Sequence, residues 1–321
     1  MIKKKDINLK IKEFDKTQDR INHKSNLYSL DPKKTIQQNI QRKKEILDRD
    51  PQFFQNVPLP SWIELSLIDV CNRVCSFCPK SDFDVAPNTY QKMTVGFIDK
   101  LCEDLKRIGY QGAFSVCGYG EPLLHKNLIE IVNKIGELGG VEIVTNGDPL
   151  KPKLLAELYN SLATKLIISM YDGEHQIDYF EKMIKKSGID KNFVVLRNRW
   201  HNAEEDFGVK LTNRVGNIKI GNQKEITEAP CFYTSYQLLI DWNGNIYLCP
   251  QDWDRKLPVG NVMMEDFFDV WNGKILNKYR SMHLKGGRNI SPCNKCNADG
   301  RVHGHKHAKV WHNTLKIFKE L

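Results

Sequence analysis

The 321-residue sequence has no run of about eighteen apolar residues, the length that a membrane-crossing helix requires. Its first residues, MIKKKDINLK, also lack the apolar stretch and small-residue cleavage site of a secretory leader. A cytoplasmic protein with no membrane partner is therefore expected. Internal repeats and low-complexity tracts are absent as well, which sets aside solenoids and fibrous arrays. The nine cysteines have neither the even count nor the regular spacing of a disulfide framework. In a reducing compartment, clustered thiols more often hold metal or do chemistry.

Net positive charge is small outside one segment. Residues 1–57 carry a net +6, and the remaining 264 residues only +3 of the total +9. A basic arm of this kind reads first as a solvated helical surface, so nucleic acid is not the expected partner.

What is present divides the chain into three parts. Residues 1–57 read as a helical extension, with a helix near Thr35 to Leu47. Residues 58–221 alternate short apolar runs with amphipathic helices, the pattern of βα units around a parallel sheet. Strands are expected at Ile63–Ile68, Ala113–Val116, Val141–Val144, Leu166–Ile168, Phe193–Leu196 and Val209–Leu211. Helices are expected at Val95–Ile108, Asn127–Leu138, Pro152–Leu162 and Ile177–Lys186. Six strands are too few for a closed eight-stranded barrel, so the fold class is α/β with a partial, open barrel. Residues 222–321 form a small α+β part. In it, Gln237–Ile240 and Asn245–Leu248 flank the turn Asp241-Trp242-Asn243-Gly244, and a helix follows near Glu265 to Tyr279.

Cys71, Cys75 and Cys78 stand as C-x3-C-x2-C directly after the first strand, at the carboxyl edge of the sheet where α/β proteins bind ligands. Three soft ligands from one loop suit an iron-sulfur cluster that keeps one iron without a protein ligand. A zinc half-site is the competing reading. Gly118-Tyr119-Gly120-Glu121-Pro122 follows the second strand, Thr145-Asn146-Gly147 ends the third, Ser169 ends the fourth and Arg197 the fifth. All lie at the same edge.

CNRVCSFC resembles the signature of the radical S-adenosylmethionine (SAM) superfamily, with Phe77 at its aromatic position. The resemblance extends over roughly residues 60 to 321. It implies that the Cys71, Cys75 and Cys78 thiolates hold a 4Fe-4S cluster whose open iron binds SAM, and that an electron from the cluster cleaves SAM to a 5'-deoxyadenosyl radical. It also implies cofactor contacts from Phe77, Gly118, Gly120, Glu121, Pro122, Asn146, Ser169 and Arg197, with Glu121 receiving the SAM amino group. Tyr119 departs from the family's GGEP pattern, which usually has glycine there.

Cys231, Cys249, Cys293 and Cys296 form the second set. Four residues separate Gly244 from Cys249, as G-x4-C, and the set closes with C-x2-C, which resembles the SPASM/twitch extension of the same superfamily. Because no cysteine follows Cys296, a single auxiliary 4Fe-4S cluster is expected; a structural zinc site on the same four thiolates is the alternative. Cys102 reads as a buried thiol, and Cys117 as one near the active edge. His303, His305 and His307 read as packing rather than as a separate metal site.

Arg214, in Asn213-Arg214-Val215-Gly216-Asn217, is the candidate catalytic residue, orienting a substrate hydroxyl or assisting its deprotonation. Bridging the two parts of the chain is its alternative role. The eighteen-residue offset from Cys231 to Cys249 is similar to that of twitch-type aminocyclitol dehydrogenases. That resemblance implies oxidation of a secondary alcohol on a sugar, cyclitol or nucleotide sugar, with a flavodoxin or ferredoxin as reductant. A peptide or protein maturase and a redox-neutral epimerase are the enzymatic alternatives. A zinc-binding nucleic-acid-binding protein is the non-enzymatic one.

Overall fold

A computed structural model describes residues 32–200, 211–219, 229–256 and 258–320. The chain enters through helix α1 (Pro32–Leu47) and a two-stranded ribbon, β1 (Phe53–Phe54) and β2 (Val57–Pro58). Strand β3 (Trp62–Leu65) then opens a series of βα units. Helix α2 (Val95–Arg107) and strand β4 (Ala113–Val116) come next, followed by α3 (Leu128–Gly136), β5 (Val141–Thr145), α4 (Pro152–Tyr159), β6 (Lys165–Met170), α5 (His175–Ser187) and β7 (Val194–Asn198).

Local chemistry explains these elements. The Thr94 hydroxyl accepts from the Phe97 amide at 3.2 Å and caps α2, while Pro152 occupies the first position of α4. Apolar residues at helical spacing, including Phe97, Ile98, Leu101 and Leu105 on α2, bury one face against the sheet. Ile63, Leu65, Phe114, Val116, Val141 and Ile143 join that layer from alternate strand positions.

The expected sixth strand, Val209–Leu211, falls mostly outside the described residues, and Leu211 is irregular. Among the described residues the sixth parallel strand is β8 (Gln237–Ile240), which follows the short helix α6 (Tyr233–Tyr236) and pairs with β3 in the register Trp62 to Gln237 and Leu65 to Ile240. Strand β9 (Asn245–Tyr247) returns antiparallel, and β10 (Gly260–Asn261) completes the order β10-β9-β8-β3-β4-β5-β6-β7. One sheet thus joins the βα units to the carboxyl-terminal part. The hairpin turn is held by Asp241 Oδ1, which accepts from the amides of Asn243 and Asn245 at 2.9 Å, and Gly244 takes a φ of +81°.

The helix expected at Glu265–Tyr279 divides into α7 (Phe267–Trp271) and α8 (Lys274–Leu284), because Gly273 turns the chain in extended conformation. The last helix, α9 (His305–Glu320), packs beside them. Fully buried Arg280 stands between Trp271 and Trp311, 4.0 and 3.9 Å from their ring centres. It donates to the carbonyls of Thr234 and Trp271, so its charge is solvated by backbone and π faces. Among the described residues, no helix is long and apolar enough to cross a membrane.

Candidate active site

The cysteine loop leaves β3 and wraps over the carboxyl edge of the sheet. Its shape comes from amides rather than from core packing: the Cys71 amide donates to Asn88 Oδ1 at 3.2 Å, and the Cys78 amide to the Cys75 carbonyl at 2.9 Å. Lys80 Nζ donates to the same Asn88 oxygen and to the Pro87 carbonyl, both at 3.0 Å. Burial pushes the Cys75 thiol up to about 12 and raises Cys71 and Cys78 as well. Such thiols keep their protons until a metal displaces them.

Arg73 ties this loop to the next two strand ends. Its guanidinium donates twice to Asp148, after β5, and twice to Asp172, after β6, at 2.6 to 2.7 Å. Sequence reasoning missed this clamp. The signal was an arginine between two of the clustered cysteines, with acidic residues shortly after two strands.

Glu121 sits in the turn after β4, and its carboxylate is already engaged. Oε1 accepts from Thr145 Oγ1 at 2.6 Å and the Leu123 amide at 3.0 Å, while Oε2 accepts from the Asn146 amide at 2.8 Å. Burial lifts its pKa to about 6, so it is mostly ionised at neutral pH. These bonds lock the Gly118–Pro122 turn to the Thr145–Gly147 turn, and Oε2, with one donor, keeps acceptor capacity. Asn146 Nδ2 lies 3.9 Å from Cys71 Sγ. Gly120 is needed for space, because a Cβ there would meet the Ile68 carbonyl oxygen at 2.2 Å.

Arg197 and Ser169 are neighbours in register on β7 and β6, and Arg197 Nη2 donates to Ser169 Oγ at 2.6 Å. The Nε of Arg197 is buried without a partner. Phe77 leaves the cysteine loop to meet Tyr171 with ring centres 5.3 Å apart. Thus the three loop cysteines, Phe77, Glu121, Asn146, Ser169 and Arg197 share one sheet edge.

The second thiol set is assembled from distant segments. Cys231, Cys249, Cys293 and Cys296 line one internal cavity with Tyr233 and His283. Burial raises all four thiols, Cys231 to about 11 and Cys293 to about 12. Gly300 makes room, since a Cβ there would lie 2.3 Å from Cys231 Sγ. Two residues unnoticed in the sequence serve this cavity. His283 contacts Cys293 Sγ through Nε2 at 3.1 Å and Thr234 Oγ1 through Nδ1 at 3.1 Å. Burial holds its pKa down at about 4, so the ring is neutral; a Thr234 hydroxyl donating to Nδ1 leaves Nε2–H to face the sulfur. Arg288 is buried, anchored on the Ala229 and Ala298 carbonyls, and its charge favours the thiolate forms of Cys231, Cys293 and Cys296.

Arg214 lies in a turn of three consecutive positive φ values, +48°, +54° and +91° at Arg214, Val215 and Gly216. Its Nη1 donates to Gln251 Oε1 at 3.2 Å, while Asn213 reaches Asn297 and the Lys295 carbonyl. The turn therefore joins the loops that follow Cys249 and Cys293. The guanidinium also favours the thiolates of both Cys78 and Cys296, which puts it between the two sets.

Tyr119, the departure from the glycine pattern, is buried and donates to the Asp252 carbonyl at 2.8 Å. Its ring meets Trp253 edge-on at 4.7 Å, with the Arg255 guanidinium 5.0 Å from its centre. A glycine there would forfeit this fastening between the barrel turn and the carboxyl-terminal part. Cys102 is buried on the inner face of α2, and Cys117 lies beside Ser115 Oγ at 3.1 Å. His303 and His307 pack in the interior with burial lowering both to about 4, and His305 meets the Phe232 ring.

Residues 65–196 match the radical SAM superfamily, and residues 231–297 match SPASM, an iron-sulfur cluster-binding domain. Together the matches span more than half of the chain, which carries a radical SAM domain followed by a SPASM/twitch-type domain. It is a radical SAM oxidoreductase, and its cofactors are SAM, a SAM-binding 4Fe-4S cluster and auxiliary iron-sulfur binding. More particularly, the chain is similar to the S-adenosyl-L-methionine-dependent 2-deoxy-scyllo-inosamine dehydrogenase of Niallia circulans. The two are 29% identical over 248 residues, covering 74% of this chain and 92% of that protein. Among solved structures it resembles BtrN in complex with AdoMet and 2-DOIA, at 26% identity and a TM-score of 0.62, covering 76% of this chain and 95% of that one. The open conformation of BtrN, at 24% identity and a TM-score of 0.57, shares the fold.

Both donor sets consist of soft thiols, the ligands of iron-sulfur clusters: three stand on one loop and four line a shared cavity.

Proposed function

We propose that this enzyme oxidises a secondary alcohol of an aminocyclitol or a closely related sugar or cyclitol to a ketone. The observation that supports this most directly is the pairing of an open triad, Cys71, Cys75 and Cys78, with a closed tetrad that ends at Cys296. An alcohol carbon that becomes a ketone loses a hydrogen atom, a proton and an electron. With its cofactors bound, the triad site supplies a radical for the first loss, and a saturated cluster accepts the electron. Four thiolates leave no site for a substrate on that cluster, and we assign a single auxiliary 4Fe-4S cluster to them.

The remaining roles belong to the chain's own side chains. Phe77, Gly118, Gly120, Glu121, Pro122, Asn146, Ser169 and Arg197 form the SAM cradle, with Glu121 presenting carboxylate oxygen to an ammonium and Arg197 presenting its unpaired Nε to a carboxylate. Arg214, between the thiol sets, donates to the substrate oxygen and stabilises it as its proton leaves. We divide the chain into an extension (1–57), a radical SAM barrel (58–221) and a twitch part (222–321), and assign a flavodoxin or ferredoxin as electron donor.

The test is anaerobic turnover of 2-deoxy-scyllo-inosamine with SAM and a reductant. The expected result is one 5'-deoxyadenosine per ketone, the product two mass units lighter than substrate, and deuterium from the reacting carbon recovered in 5'-deoxyadenosine. Retained mass with solvent deuterium uptake would make the enzyme an epimerase. Formation of 5'-deoxyadenosine only with a peptide would make it a maturase.

A further inference from the structure

Helix α1 precedes both family matches, yet it is built into the barrel. Leu47, with Ile46 against it, packs with Trp62, Ala113 and Tyr236, at the amino-terminal ends of β3, β4 and β8, opposite the cysteine loop. Asp48 and Asp50, just past its end, contact the Gly304 amide and Lys306 at the start of α9. The helix is therefore held from both sides beneath the sheet's inner face.

That face is polar. Glu64, Ser115 and Glu142 are direct neighbours in register across β3, β4 and β5. They alternate with the residues that meet the outer helices, so all three face the interior. Two carboxylates buried on one face, with Ser115 between them, require cations, and α1 brings them. Arg42 pairs with Glu142 Oε1. The other oxygen of Glu142, a residue 2% exposed, is buried with no partner.

Lys43 is the next residue. Its ammonium stands 5.2 Å from the centre of the Trp62 ring, within the fields of Glu142, Cys117 and Glu64. Among the described residues it makes no hydrogen bond, and it comes within 4.0 Å of neither carboxylate. Burial lowers its pKa and raises that of Glu64, and the attraction between the two opposes both shifts. A cation and carboxylates that do not meet in a hydrogen bond suit a group that donates and accepts at once, and a ring hydroxyl does both.

We propose that α1 is the floor of the substrate chamber and that Lys43 is a substrate-binding residue, its ammonium donating to a hydroxyl oxygen of a ring polyol whose hydroxyl proton is accepted by the carboxylates beside it. Specificity is thus set partly by a segment that lies outside both catalytic modules. This rests on the small-molecule reading above.

The test compares wild type, Lys43→Met, Lys43→Arg and Lys44→Met in the anaerobically reconstituted full chain, with 2-deoxy-scyllo-inosamine, myo-inositol and glucosamine as probes. Lys44 is exposed on the same helix and serves as control. For whichever probe wild type oxidises, Lys43→Met is expected to raise KM at least about tenfold, the worth of one charged hydrogen bond. It should also yield more than one 5'-deoxyadenosine per ketone, since a loosely held ring leaves radicals unquenched. Iron content and substrate-free SAM cleavage should stay at wild-type levels, and Lys43→Arg should recover part of the loss. A purely structural role would change iron content or unfolding but leave KM and coupling alone. Should Lys43→Met lose iron, Lys43→Gln is read by the same criteria. Unchanged KM and coupling in an intact variant would overturn the proposal while leaving the dehydrogenase reading standing. A wild type that oxidises none of the three overturns both.

Discussion

The two thiol sites solve opposite problems with the same side chain. Cys71, Cys75 and Cys78 come from eight consecutive residues on a partly exposed loop, whereas Cys231, Cys249, Cys293 and Cys296 come from three segments around an enclosed cavity. An open coordination position must be reached by a ligand, so its loop stays at the sheet edge and is shaped by amides and by the Arg73 clamp. A saturated site needs no access. It can be buried, which lets Arg288 and His283 act on the sulfurs in a low dielectric. Access is local and costs three residues of a motif; insulation is global and costs a domain.

The sharpest way to break this comparison is Cys75→Ala. SAM cleavage should fall to background while about four iron atoms per chain remain on the tetrad, the content of one 4Fe-4S cluster. Loss of all iron would show that the sites do not load independently. Cys249→Ser should do the converse, keeping substrate-free SAM cleavage within about twofold but lowering ketone formation by about a hundredfold or more, as expected when one required step loses its acceptor. Full turnover in that variant would remove the tetrad from the reaction.

Tyr119→Ala tests the fastening between the sites. Truncating a buried aromatic costs about 3–5 kcal/mol, and denaturant unfolding should register it. Tyr119→Phe should lose only about 1 kcal/mol, the hydrogen bond to Asp252. If the two variants unfold alike, packing is not what holds the turn. The smallest effect is expected from His283→Phe. Losing one N–H contact to Cys293 should move the auxiliary potential by about 50 mV to more negative values, since one neutral hydrogen bond is worth roughly a tenfold change in a one-electron equilibrium. The triad's potential should not move; a shift in both would mean that the sites are electrostatically coupled.

Much of the fold was legible. The apolar runs at Ala113 and Val141 and the turn before Gly244 became β4, β5 and the β8–β9 hairpin, because strand period and turn chemistry are local. Other features were not. Nothing in Gln237–Ile240 announces that it will pair parallel to Trp62–Leu65, more than 170 residues earlier. The single helix expected at Glu265–Tyr279 ignored Gly273, whose extended backbone ends one helix and begins another. His283 and Arg288 are ordinary surface residues by type. They acquire a role only because burial removes competing water.

From sequence alone, the nine cysteines already divide into sets of three, four and two, and Cys71, Cys75 and Cys78 are brought together on one loop, because spacing within a short loop survives in any fold that contains it. Tertiary structure decided what those spacings cannot encode: that Tyr119 fastens the SAM turn to the hairpin, that one sheet runs through both parts, and that α1 delivers Arg42 and Lys43 to two buried carboxylates. Each depends on the register of segments far apart in the chain, and that register is chosen by the burial of whole faces rather than by neighbouring residues.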